Sequence, residues 1–184
     1  HEGWHQYTQA TFEQSLPVWL EEGLACYLEG YWIDAAGIPH FDAARNAERH
    51  RALRRLVREE RLLALDEFIG HAPQELLRED KADLLDYYAH TWSLVRFLSE
   101  GEDAKHRPAL QRLLADAAAG RLYRRVAENR RERGLSRRGL WRSYRFGPAL
   151  LHSYFTNDLD EFRREYQNYL TSLVAEPYTL ETKE

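Results

Sequence analysis

The sequence predicts an all-α domain, and three observations lead there. Apolar residues recur at three- and four-residue steps along most of the chain. Glycine and proline punctuation is sparse, and no segment alternates apolar and polar residues with the two-residue period of a strand. At 184 residues the chain fits one domain, and 43% hydrophobic content is enough to bury a core.

The elements follow in order. Residues 1–14 read as a helix on the spacing of Trp4, Tyr7, Thr8 and Phe12. A second helix starts at Ser15 as N-cap, with Pro17 tolerated in its first turn, and runs through Leu24 and Leu28 to about Trp32. Asp34 to Pro39, containing Gly37, is a loop. Residues 42–60 form a charged helix whose apolar face is Ala52, Leu53, Leu56 and Val57. Leu62 to Gly70 holds a short helical turn. A long helix from about Lys81 to Ser99 carries Leu84, Leu85, Tyr88, Trp92, Val95, Phe97 and Leu98, and Gly101 closes it. Arg107 to Ala119 is a helix with Pro108 in its first turn and Gly120 as its stop. From Gly147 to about Glu176 the pattern is a short helix, a break at Thr156 to Asp158 and an amphipathic helix. The tail 177–184 reads as frayed.

Charge and composition exclude several classes. With 26 basic and 30 acidic residues the net charge is −4, which is no nucleic-acid footprint across the chain. No apolar run approaches the roughly 18 residues of a membrane span. Cys26 is the single cysteine, so neither an intrachain disulfide nor a cysteine-rich zinc finger is available. A chain that opens at His1 and has no methionine reads as a processed product or a segment of something longer. The stretch from Arg121 to Arg145 is rich in arginine, Arg137, Arg138 and Arg142 included. It reads as a solvated helix and loop, with an anion- or partner-binding strip as the competing reading.

The chemistry-bearing pattern is His1-Glu2-Gly3-Trp4-His5. Residues i and i+4 share a helix face, so both imidazoles can reach one zinc ion, and Glu2 can lean over a metal-bound water as general base. Two histidines leave a tetrahedral catalytic zinc one protein ligand short. Sixteen residues separate His5 from Glu22, enough for a turn and a second helix packed back antiparallel. Either Glu21 or Glu22 could then supply the third ligand, with Gly23 allowing the two helices to approach closely. The remaining histidines, His40, His50, His71, His106 and His152, lack ligand spacing and read as surface or hydrogen-bonded groups. Trp32 and Trp141 read as core aromatics.

The segment Leu16 to Glu29, with Trp19, Leu20, Glu22, Gly23 and Ala25, resembles the gluzincin metallopeptidases. The likeness is to aminopeptidase-N-type enzymes and to a family of bacterial peptidase-MA-like proteins. In these a Trp-Leu-x-Glu-Gly-x-Ala stretch follows the His-Glu-x-x-His helix and supplies the third ligand, which implies Glu22. Cys26 stands where thermolysin-type relatives place an aspartate that orients a histidine, and the resemblance moves that role to Glu29. Tyr88 to Leu98 is similar to a Tyr-Ala-Gln-x-Trp-x-Leu-Val-x-Phe-Leu helix of the peptidase-MA-like family, which implies Tyr88 as oxyanion donor. His90 is the weaker alternative, and Tyr87 is expected to face elsewhere.

The resemblance therefore implies an all-α subdomain of a gluzincin-like metallopeptidase, beginning at the zinc helix. Residues 1–100 would form the zinc-site region, 101–176 a helical extension and 177–184 the tail. Zinc would be held by His1, His5 and Glu22, and the reaction would be hydrolysis of a peptide or protein substrate. An upstream domain of the parent protein would supply the upper wall of the cleft, and an extracytoplasmic setting follows from family analogy alone. Without that wall, the isolated segment is expected to bind metal poorly or to be inactive. The alternative is a catalytically silent helical scaffold whose partner surface is the arginine-rich 121–145 segment.

Overall fold

The computed structural model describes residues 1–71, 73–78, 83–135 and 143–175. Trp141, Arg137, Arg138, Arg142, the Lys81 start of the long helix and the 177–184 tail lie outside the described residues. The rest is mostly helical, as the periodicity predicts.

Helix α1 (Glu2–Thr11) ends where Phe12 turns extended. The following turn is pinned to a distant part of the chain. The Glu13 and Gln14 amides donate to the Ala118 and Ala117 carbonyls, and the Tyr123 hydroxyl donates to the Ser15 carbonyl at 2.9 Å. Helix α2 spans Val18–Leu28, with Pro17 rather than Ser15 as the residue that precedes it. The proline explains the difference. It disfavours helical backbone at Leu16, so the helix cannot start before it.

Helix α2 also ends four residues earlier than its pattern suggests. Gly30 passes so close to the backbone of Asp42 that a Cβ there would lie 2.2 Å from the Asp42 carbonyl oxygen. Beyond it lie two short strands, β1 (Tyr31–Ile33) and β2 (Pro39–Phe41), paired antiparallel with Trp32 opposite His40. The all-α expectation thus missed a hairpin, because strands of three residues are too short to display alternation. Asp34 shapes its turn, accepting from the amides of Ala36 and Ile38 at 2.9 Å each.

After a 3-10 turn at Ala43–Arg45 comes helix α3 (Ala47–Arg58), whose N-cap Asn46 accepts from the Arg49 amide. Ala52, Leu53 and Leu56 of its predicted apolar face are buried. Two short helices follow, α4 (Leu65–Gly70) and α5 (Pro73–Arg78), the second of which has no counterpart in the sequence reading. Helix α6 (Leu84–Ala104) is capped by Asp83 and leaves helical geometry at Gly101. Helices α7 (Arg107–Ala118), α8 (Leu122–Glu132), α9 (Ser143–Tyr154) and α10 (Leu159–Ala175) complete the order.

The core is organised around α6. Every residue from Ala89 to Ser99 is buried, and α2, α3, α4, α5, α7 and α10 all pack on this helix. Leu84 and Leu85, counted with its apolar face, are exposed at its first turn. Gly23 on α2 is what allows the closest of these contacts. A Cβ there would sit 2.6 Å from both the Thr91 carbonyl oxygen and Val95 Cγ2. The close approach therefore joins α2 to α6, not α2 to α1 as expected. Trp19 and Trp92 are almost wholly buried in the same core. Full burial of each large apolar side chain contributes about 1.5–3 kcal/mol.

Candidate metal centre

Helix α1 presents His1 and His5 one turn apart, with ring centroids 5.0 Å apart and nearly perpendicular planes. Contacts with α2 run in opposite chain directions: His1 meets Glu29, while His5 and Thr8 meet Glu21. That antiparallel pairing puts Glu22 between the two imidazoles. Its Oε2 lies 3.4 Å from His1 Nε2 and 3.7 Å from His5 Nε2.

Three features make this set fit a metal cation. Ligand atoms of His1, His5 and Glu22 all lie within 4.8 Å of one another. Zinc–ligand bonds near 2.0–2.1 Å place tetrahedral neighbours about 3.3–3.4 Å apart, close to the Glu22 distances. Glu22 Oε2 is also buried and has no hydrogen-bond partner among the described residues, and a buried acceptor calls for one. Finally, the far nitrogen of each ring is turned onto a carboxylate. His1 Nδ1 is 2.8 Å from Glu29 Oε1, and His5 Nδ1 is 3.2 Å from Glu21 Oε1. A carboxylate only accepts, so each Nδ1 can donate to the carboxylate behind it, and with a cation at the centre each Nε2 is the nitrogen that would ligate it.

Electrostatics point the same way. Burial raises the Glu22 pKa; Glu21 and Glu2 raise it further, while His5 opposes them. A cation at the centre would relieve that repulsion. The two candidate glutamates thus separate by geometry. Glu22 faces the Nε2 atoms, whereas Glu21 stands behind His5 and also accepts from the Thr8 hydroxyl at 2.6 Å.

Glu2 is exposed, and its charge is felt by both Glu22 and Tyr88. The Tyr88 ring sits edge-on to His1 at 5.7 Å, with the Arg49 guanidinium carbon 5.0 Å from its centroid. Burial, followed by Glu22, raises the Tyr88 pKa, which keeps the phenol a proton donor. Tyr87 was expected to face elsewhere. Its ring is buried, its hydroxyl has no partner among the described residues, and the charge of Glu22 reaches it. His90 is fully committed to the fold: Nε2 accepts from the Leu63 amide and Nδ1 donates to the Asp86 carbonyl. It takes no part in the site.

Glu29 is itself held. Asn46 Nδ2 donates to its Oε2 at 2.5 Å, and Arg49 Nη2 lies 3.3 Å from its Oε1. Sequence reasoning missed both residues, and Thr8 as well. Thr8 lies at helical spacing from His5 and could have been suspected, whereas Asn46 and Arg49 come from a helix that only the fold brings here. Cys26 is close to His1 and Glu29, but burial pushes its thiol up to about 12, so it is a neutral group.

The other histidines behave as expected, with one exception. His40 pairs with Asp34, and His50, His71 and His152 each contact a backbone carbonyl. His106, which shows no ligand spacing in sequence, is brought beside Glu102 and Glu165. In the arginine-rich stretch, Arg121 and Arg125 are both bonded to Asp116, whose pKa they help to lower against the effect of burial. At least that part of the strip is engaged within the chain.

Among the described residues no helix is long and apolar enough to cross a membrane. Comparisons with protein-family models, with curated proteins and with solved structures yield no match to this chain.

Proposed function

We propose that this chain is the helical part of a gluzincin-like, zinc-dependent peptidase, with His1, His5 and Glu22 as the metal ligands. One observation carries the proposal: a buried, unbonded carboxylate oxygen lies between two imidazole Nε2 atoms whose opposite nitrogens are each backed by another carboxylate. Zinc bound there would supply a Lewis acid that lowers the pKa of a coordinated water towards about 7.

The chain's own residues do the rest. Glu2, next to the ligand His1 in the chain and exposed, accepts the proton of the attacking water and hands it to the departing amine. The protonated phenol of Tyr88 donates to the carbonyl oxygen as negative charge gathers on it. Glu29 and Glu21 hold the two rings in the tautomer that leaves Nε2 available. A peptide or protein is the substrate, and an upstream domain of the same protein supplies the facing wall of the cleft.

The test is Glu2→Gln in the full-length protein, assayed on a peptide library. Zinc should stay near one equivalent while hydrolysis drops by about 100- to 10,000-fold, the usual contribution of a general base. A full-length protein that holds zinc but cleaves no member of the library would replace this reading with the silent scaffold. A protein that takes up no zinc would remove both the metal and the peptidase.

A further inference from the structure

We propose that Asn46 and Arg49 are positioning residues for the metal: together they clamp Glu29, which in turn aims His1 Nε2 at the ion. The proposal rests on the metal reading of the His1/His5/Glu22 cluster and goes one layer behind it.

The clamp is built from opposite sides of one carboxylate. Glu29 Oε1 is shared by His1 Nδ1 at 2.8 Å and Arg49 Nη2 at 3.3 Å. Glu29 Oε2 receives Asn46 Nδ2 at 2.5 Å. Asn46 is used at both ends of its amide: Oδ1 caps α3 by accepting from the Arg49 amide, and Nδ2 also reaches the Cys26 carbonyl at 3.0 Å. The first turn of α3 is thereby tied to the last turn of α2 at the point where Glu29 leaves the helix. Glu29 cannot swing without breaking bonds to two buried side chains, since Asn46 is 7% and Arg49 6% exposed.

The arrangement is expensive for a merely structural contact. Arg49 Nε and Nη1 are buried without hydrogen-bond partners among the described residues, and Nη1 has only a distant ion pair with Glu48 at 3.8 Å. Leaving such charged donors unsatisfied is destabilising, and an apolar residue would fill the space more favourably. A fixed guanidinium is useful here for a different reason. It holds the Glu29 carboxylate in place at the same oxygen that faces His1 Nδ1, which fixes the orientation of the ring and the direction of its Nε2. The His5 side shows no counterpart, because Glu21 receives a neutral hydroxyl from Thr8 instead. Control of ring orientation is therefore concentrated on His1.

The experiment measures zinc affinity of the full-length protein by competition with a chromophoric chelator, together with the visible d–d spectrum of the cobalt-substituted protein. Arg49→Met and Asn46→Ser are compared with wild type, with Arg49→Lys as the conservative rescue and Arg58→Met, exposed on the same helix, as control. Serine preserves the cap oxygen but removes the amide donor. Arg49→Met and Asn46→Ser should each weaken zinc binding by about 10- to 100-fold and shift the cobalt spectrum, with Arg49→Lys recovering part of both. Thermal stability that falls while zinc affinity and the cobalt spectrum stay at wild-type values assigns the pair to folding alone and overturns the clamp. If Arg49→Met does not fold, Asn46→Ser and Arg49→Lys decide: wild-type affinity in both also overturns it. Wild type that takes up no zinc refutes the metal centre itself, an outcome distinct from either.

Discussion

Two clusters in this chain gather the same kinds of side chain and differ in what stands between them. His1, His5 and Glu22 converge, and Glu22 Oε2 is left without a hydrogen bond among the described residues. Glu102, His106 and Glu165 also converge, but Lys105 bridges the two carboxylates, with Nζ 3.0 Å from Glu102 and 2.5 Å from Glu165. The second cluster carries its own cation; on the reading proposed above, a metal ion takes that role in the first. Proximity of histidines and carboxylates is therefore a weak signal by itself. The informative features are an unsatisfied acceptor at the centre and carboxylates behind the rings.

The largest expected effect breaks the first cluster. Glu22→Gln removes the ligand charge, and zinc affinity should fall by more than the roughly 100-fold upper end for outer-layer changes. Titration with a competing chelator measures this, and an unchanged affinity would move the ligand role away from Glu22. Next comes Gly23→Ala, which asks whether the α2–α6 contact sets the height of Glu22. The added methyl meets the Thr91 carbonyl oxygen and Val95 Cγ2 at 2.6 Å, one of them backbone. Overpacking of this kind costs about 1–3 kcal/mol. The melting temperature should fall by several degrees, about 2–4 °C per kcal/mol at this size. A variant as stable as wild type would show that the helices can part at no cost.

Two smaller tests concern the second cluster. Lys105→Met takes away the bridging ammonium, so Glu102, His106 and Glu165 should then admit a second, weak equivalent of zinc. Calorimetry that still finds one equivalent would show that the missing lysine is not what distinguishes the clusters. The smallest effect is on pH dependence. Burial first, and Lys105 second, lower the His106 pKa below its ordinary value, against the pull of Glu165 and Glu102. The unfolded chain then takes up the proton first as the pH falls. Stability from this group is present above about 6.5 and lost below it. In metal-free protein, His106→Gln should flatten the loss of melting temperature between pH 7 and pH 5. Equal slopes in both proteins would show that His106 does not titrate differently on folding.

Much of the helical order was legible because apolar spacing survives any detail of packing. The cores of α3, α6, α7 and α10 lie within or close to the spans their periodicity marks. The boundaries were less legible. Ser15 has the chemistry of an N-cap, yet the proline two residues later sets the start of α2. Three-residue strands carry too little pattern to register, and α5 is a single short helix with no strong periodicity. At the candidate site, the pairing of His1 with His5 followed from local geometry, whereas the separation of Glu21 from Glu22 did not. Adjacent residues on a helix point about 100° apart, and which one faces α1 depends on how α2 is rotated.

What the chain's own residue order determined was the set of helices and the presentation of two imidazoles on one turn, because both follow from interactions within a few residues. Residue spacing left Glu21 and Glu22 open and the family resemblance implied Glu22; the tertiary structure turns Glu22 to the rings and sets Glu21 behind His5. It also brought Asn46 and Arg49 to Glu29 and put Lys105 across the second cluster. Each of these depends on the rotation and spacing of helices that meet far apart in sequence. Those are set by close contacts such as Gly23 against Thr91, which no local pattern encodes.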